Sequence, residues 1–167
     1  MSSRSAIRRY VIQDLDTGER FRFHAFFEHD SGYSISKAAN WVETGIIGRS
    51  SPIQGYQDSA PFRITLTIPL HASMEQYDAR TPEDVDRAMR FFLSMPYPDY
   101  SGGIKPPHRY LLIMAGQLWP LEVIPIDVDV NPLGPWDTGT GKCHRAVVRA
   151  SFLEVDEIPK DYRFVRG

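Results

Sequence analysis

The side chains in this 167-residue chain best suited to chemistry are five histidines and one cysteine. His24, His29, His71, His108 and His144 are dispersed, with no HxH or HExxH spacing and no aspartate placed to complete a metal-ligand set. Glu28, His29 and Asp30 stand in a row, but neighbours on a strand point to opposite faces, so a solvated or hydrogen-bonded turn is expected there rather than a shared metal. Cys143 and His144 are adjacent at the mouth of a candidate strand, which directs them apart. Activation of a thiol requires it to meet its base, so a structural cysteine is the expectation. The run "DTGTGK" at 137–142 shares residues with a phosphate loop. It lacks that loop's glycine spacing and following Ser/Thr, and it precedes a strand where a phosphate loop opens a helix. "DTG" occurs at 16–18 and again at 137–139, a triplet also found in aspartic proteases, yet each copy sits in a hairpin-turn context. The residues therefore predict no catalytic, cofactor-binding or metal site and no enzyme; a hydrolase would have to draw on His24 or His29.

Aromatic residues are the next resource. Trp41, Tyr56, Tyr97, Tyr100, Trp119 and Trp136 fall in or beside segments rich in turn formers. Aromatics there either cap the ends of a core or anchor a protein interface. Six together favour an interface for some of them.

Bulk properties narrow the partners. A net charge of −2 carries no footprint of phosphate neutralisation, so no specific nucleic-acid binding is expected. A single cysteine excludes an internal disulfide framework and suits a reducing compartment. No window approaches 18 consecutive apolar residues and the first ten residues lack an apolar signal core, so neither a membrane span nor an export signal is expected and cytoplasmic synthesis is. The length and a 42% hydrophobic content suit one domain over 1–167, with a flexible or partner-ordered tail at 156–167.

The elements that would position these residues are mostly strands. "IRRYVIQ" and "RFRFHAFF" flank the turn "DLDTGE" as a hairpin, and "GYSISKAANW" is a further strand candidate. A long loop with no sustained period then runs from Trp41 to about Ala60. In "PFRITLTIPLHA" Phe62, Ile64, Leu66, Ile68 and Leu70 share one face and Arg63, Thr65, Thr67 and His71 the other, a period of two that predicts a half-buried strand. Pro69 belongs near an edge or end of it. "TPEDVDRAMRFFLSM" predicts a helix: Thr81 as N-cap, Pro82 at the first position, Glu83 and Asp84 in the first turn, and a Val85, Ala88, Met89, Phe92 stripe to lay on a sheet. "HRYLLIMAGQLWPLEVIPIDVDV" reads as a buried hairpin turning at "AGQ" and "NPLGPWDTGTGK" as a long connection. "CHRAVVRASFLEV" reads as a last strand with Ala146, Val148, Ala150 and Phe152 inward. The order predicts a mainly β (α+β) fold, an antiparallel sandwich or barrel with one flanking helix.

In that order, "FRFHAFFE", "YSISKAANW", the Gly/Pro loop, "RITLTIPL", the "EDV" helix, "PPHRYLLIMAGQLWPLEVIPIDVDVN" and "GKCHRAVVRASFLEV" resemble the tube-type domain of contractile injection systems. The resemblance is to baseplate adaptor or hub proteins of contractile-tailed phages that share the tail-tube fold, without their LysM segment. It rests on the strand at 63–70, the helix at 82–95, the strand that turns back at Gly116, and the closing strand at 144–154. "AFFEHD" stands where such proteins often have "F-N-P", and Met114-Ala115 replaces their aromatic before the turn glycine. The resemblance implies a virion structural protein, located in the tail or baseplate, whose copies form a ring, sixfold in expectation, joining the tail tube to the baseplate hub. Implied partners are the chain itself, the tail-tube protein, hub or spike and wedge proteins, and a tape-measure protein. It also implies an inter-subunit loop carrying Trp41, Ile46, Ile47, Arg49, Ile53 and Tyr56, and a lumen-facing row of Arg63, Thr65 and Thr67. Within the same class stands a tail-tube or tube-terminator protein. From another class stands a small-ligand-binding β-barrel, closed like a lipocalin around a pocket of loop aromatics.

Overall fold

The computed structural model describes residues 9–24, 32–44, 53–72, 81–100, 102–114 and 120–155. Among the described residues, nine strands and one helix follow one another: β1 (Arg9–Asp14), β2 (Arg20–His24), β3 (Gly32–Ser36), β4 (Ala39–Thr44), β5 (Ile53–Ser59), β6 (Arg63–His71), α1 (Pro82–Ser94), β7 (Tyr110–Met114), β8 (Leu121–Trp136) and β9 (Cys143–Glu154). Seven of the strands make an antiparallel sheet in the order β2-β1-β7-β8-β9-β6-β3; β4 and β5 form a separate hairpin. Neither β2 nor β3 has a second strand partner among the described residues, so the large sheet is open. The expected mainly β architecture with one flanking helix is present; closure into a barrel is not.

One face of the sheet is buried because its strands alternate. On β6, Ile64, Leu66, Ile68 and Leu70 are at most 1% exposed while Arg63, Thr65, Thr67, Pro69 and His71 face outward. On β9, Ala146, Val148, Ala150 and Phe152 are buried in register with them, as the sequence predicts. The helix covers this face. Val85, Ala88, Phe91 and Phe92 point inward, and α1 lies against β9, β8 and β6. Phe21 of β2 closes the same core with its ring 5.0 Å from that of Phe92, edge to face. Thr81 caps α1 in a reciprocal box, its hydroxyl accepting from the Asp84 amide while the Asp84 carboxylate accepts from the Thr81 amide.

Prolines sit where a ladder can spare their missing N–H. Pro69 lies beyond the reach of β3, which pairs with β6 only from Arg63 to Thr67. β8 pairs with β7 through Leu121, Glu122 and Val123, so Pro125, Pro132 and Pro135 fall where β9 is its only partner among the described residues, and register shifts lie beside two of them.

The structure corrects two sequence expectations. Residues 131–136, read as connection, continue β8, and the connection to β9 shrinks to a tight turn. The proline content hid a strand that bulges accommodate. The segment from Trp41 to Ala60, read as loop, holds most of β4 and all of β5. All six residues of β4 are exposed, so no buried face imposes the alternation by which a strand is recognised.

Both tight hairpin turns use one device. Asp14 Oδ1 accepts from the amides of Asp16 and Thr17, and Asp137 Oδ1 from those of Gly139 and Thr140. The Gly18 amide donates to the Asp14 carbonyl and the Gly141 amide to the Asp137 carbonyl, with φ of 77° and 68° at the two glycines. The shared pattern is D-x-x-T-G, Asp14 to Gly18 and Asp137 to Gly141. Aspartate builds the turn and glycine takes the left-handed position.

Candidate functional site

Three surfaces remain once the core is formed: the β4–β5 hairpin, the outer face of the large sheet, and a cleft beside the β1–β2 turn.

The hairpin stands clear of the core. Its base is fastened by the Ala60 amide donating to the Ala38 carbonyl at 2.8 Å and by Lys37 lying 4.4 Å from the ring centre of Phe62. Beyond that base β4 and β5 pack chiefly on each other. Trp41 and Tyr56 are register partners, their rings 5.6 Å apart and edge to face, yet they remain 59% and 57% exposed. Glu43 accepts from Gln54 across the same face, and Asn40 hydrogen-bonds Asp58. Ile53 opens β5, whereas Ile46, Ile47 and Arg49 lie outside the described residues. The structure thus brings Trp41 and Tyr56 together midway along an exposed hairpin. Tyr97, Tyr100 and Trp136 are likewise exposed, so the five described loop aromatics do not cap the core; Trp119 lies outside the described residues.

Arg63, Thr65 and Thr67 lie on the uncovered face of the sheet. Thr65 meets Ser151 of β9 hydroxyl to hydroxyl at 3.1 Å, and Arg149, opposite Thr67, has Asp129 as its other register partner. Around β6 this face is polar, whereas Val11, Leu111, Ile113, Ile124 and Leu153 make the part around β1, β7 and β8 apolar. The tail 156–167 lies outside the described residues.

The cleft, of about 500 Å³, is lined by Asp16 and Thr17 on one side and by Asp99 and residues 105–109 on the other. At its edge His108 Nδ1 sits 2.8 Å from Asp14 Oδ2. Burial alone would raise the Asp14 carboxyl. The hydrogen bond from His108 and the amides of Thr17 and Asp16 outweigh it and hold the group below the usual carboxylate value. His108 is correspondingly raised, first by its bond to Asp14 and, against its own desolvation, by the nearby Asp14, Asp16 and Asp99 charges. Asp14, Asp16 and His108 offer ligand atoms within 4.8 Å of one another, but the amides of the turn and the imidazole already occupy both Asp14 oxygens. Residue types and spacing gave no sign of this pair: its members are 94 positions apart and meet because β7 pairs with β1, setting Asp14 opposite Tyr110.

The remaining sequence candidates are placed as follows. Cys143 is buried, its Sγ 3.9 Å from Met89 Sδ, and burial pushes the thiol up, away from a reactive thiolate. The "DTGTGK" run is the β8–β9 turn, with Lys142 reaching Glu83 and Asp86 of α1. His24 ends β2 and His71 ends β6, while Glu28, His29 and Asp30 lie outside the described residues. No described helix is long and apolar enough to cross a membrane.

No family model matches the chain, and no curated protein does. Among solved structures it is similar to a chain in the cryo-EM structure of the anti-feeding prophage baseplate, six-fold symmetrised, with 8% identity, 93% of each chain covered and a TM-score of 0.44.

Proposed function

We propose that the chain is a structural protein of a contractile injection particle, whose copies close into a ring that joins the tail tube to the baseplate hub. The β4–β5 hairpin is the observation that carries this reading. A lone two-stranded hairpin is marginally stable in water, and this one displays a Trp–Tyr pair with more than half of each ring in solvent. Such a feature is stabilised when another chain covers it, and exposed Trp and Tyr are the residue types that anchor interfaces.

Further support comes from the sheet and from the order of sequence motifs shared with tail-tube-fold proteins. Among the described residues the sheet carries one helix, on one face, and the other face is polar around Arg63, Thr65 and Thr67. Its end strands β2 and β3 each lack a second partner among the described residues. An edge of this kind can add a strand from a neighbour, and a head-to-tail contact repeated by rotation closes a ring. In the proposed ring the hairpin is the arm that grips the next subunit, and Arg63, Thr65 and Thr67 line the lumen. The alternative of a closed barrel around an apolar ligand loses its footing, because the sheet is open and the cleft is lined by charged and proline residues rather than loop aromatics.

The test is assembly. Purified protein, alone and mixed with the tube and hub proteins of its own particle, is followed by mass photometry and electron microscopy over a range of concentrations. Rings, stacks or complexes with those partners are expected. A monomer under every condition, with no binding to tube or hub proteins, overturns the proposal.

A further inference from the structure

Segment 97–109 links α1 to β7 and carries three of the most exposed large hydrophobic residues described: Tyr97 at 70%, Tyr100 at 69% and Ile104 at 84%. The cleft lies between part of this segment and the β1–β2 turn, and at its β7 end the Leu15 amide of the turn donates to the Arg109 carbonyl at 2.9 Å. Within itself the segment is pinched by the Lys105 amide donating to the Asp99 carbonyl at 2.9 Å and by the Lys105–Asp99 ion pair at 3.6 Å. Gly102 and Gly103, at φ of 81° and 133°, permit the bend, while Pro106 and Pro107 have no amide to give to the sheet. The His108 side chain adds a contact across the cleft edge, to Asp14. Its partner Asp14 is 5% exposed and builds the β1–β2 turn through its other oxygen.

We propose that the Asp14–His108 pair is a proton-dependent clasp, which fixes segment 97–109 and its exposed Tyr97, Tyr100 and Ile104 against the β1–β2 turn when His108 is protonated and loosens it when His108 is neutral. The charged groups around the imidazole favour the closed state: Asp14, Asp16 and Glu19 from the turn and Asp99 from the segment outnumber Lys105 and Arg109, with the Tyr110 hydroxyl buried and neutral behind. Lys105 and Arg109 are themselves paired, with Asp99 and Glu122. Loss of the proton removes the imidazolium charge and with it the ion-pair component of the contact, although a neutral Nδ1–H can still donate to the Asp14 carboxylate. It also leaves a nearly buried carboxylate without its counter-charge. The raised pKa of His108 places that change on the alkaline side of the ordinary histidine range. The clasp belongs to the fold and holds independently of ring formation.

The experiment uses the full chain. The His108 imidazole is titrated by NMR, and amide hydrogen exchange at Gly103, Ile104, Lys105, His108 and Arg109 is measured from about pH 5.5 to about pH 8.5, either side of the ordinary histidine value, with the intrinsic base catalysis divided out. In the wild type, opening of these amides is expected to rise several-fold across the range, with a midpoint that matches the imidazole titration and lies above the ordinary histidine value. In His108→Gln the segment should stay at the alkaline wild-type level throughout. Equal protection at both ends of the range in the wild type, or an unchanged pH response in His108→Gln, overturns the proposal. Should the variant fail to fold, the two wild-type measurements decide alone.

Discussion

Replacing Trp41 and Tyr56 by alanine separates the hairpin's role in the fold from its role in assembly. An aromatic side chain carries about 150–250 Å². With 59% of Trp41 in solvent, the part already buried in the hairpin is worth at most about 2.5 kcal/mol at about 25 cal/mol per Å². The edge-to-face contact with Tyr56 adds about 0.5–1.5 kcal/mol. Both terms act within the hairpin, whose strands pack chiefly on each other, so their loss opens a local unit and leaves the seven-stranded sheet intact. At the centre of an interface the same truncation costs about 2–4 kcal/mol, or about 30- to 1,000-fold in affinity. The double variant should therefore keep the wild-type urea midpoint by far-UV circular dichroism while ring or stack formation by mass photometry falls by at least an order of magnitude. Shortening the chain between residues 45 and 59 is the harsher form of the same change, with the same expected outcome. A midpoint lowered as far as by a core truncation would mean that the hairpin packs into the fold, and the arm would be refuted; so would assembly that proceeds unchanged.

Phe92→Ala supplies the core comparison: the ring is fully buried against Phe21 and Phe91, and its loss should cost about 3–5 kcal/mol by urea unfolding. Thr81→Ala removes the hydroxyl half of the α1 capping box and should cost about 1 kcal/mol, read as a lower thermal midpoint with the fold retained. The Asp14 carboxyl is held below its ordinary value of 3.8, so its contribution is full above that pH and is lost as pH falls through the folded value. His108 is held above its ordinary 6.5, so its contribution is full below that pH and is lost as pH rises through the folded value. The pair should thus stabilise most between these two ordinary values; Asp14→Asn should flatten both limbs of the stability–pH curve, and unchanged limbs would count against the pair.

What was legible in the sequence follows from what each element buries. β6 and β9 face the core on one side and water on the other, which writes a period of two into residues 63–71 and 143–154; α1 carries its cap and stripe in consecutive turns. β4 and β5 have no buried face, so their residues answer to no period and read as loop until their hydrogen bonds are seen. The second half of β8 was hidden by prolines that an edge position tolerates. Comparing the two "DTG" triplets hid the real repeat, D-x-x-T-G, which is offset by two residues in the first copy. At the candidate surfaces, Trp41 and Tyr56 were identifiable as residues, but their placement edge to face against each other depends on the hairpin register. The Asp14–His108 contact depends on a pairing between β1 and β7 that no local pattern encodes.

The position of β9 has a consequence for how the chain comes to exist. The last described strand lies between β8 and β6, and its ladder with β6 joins residues as far apart as Arg63 and Leu153. Loop closure over such separations is entropically costly and slows folding towards the millisecond-to-second range. During synthesis, β6 and the second half of β8 have no common partner until residues 143–154 have left the ribosome, so their facing edges wait unpaired. Completion of the sheet is then a single late event, and a chain stalled before residue 143 would be both unfolded at its centre and prone to aggregate.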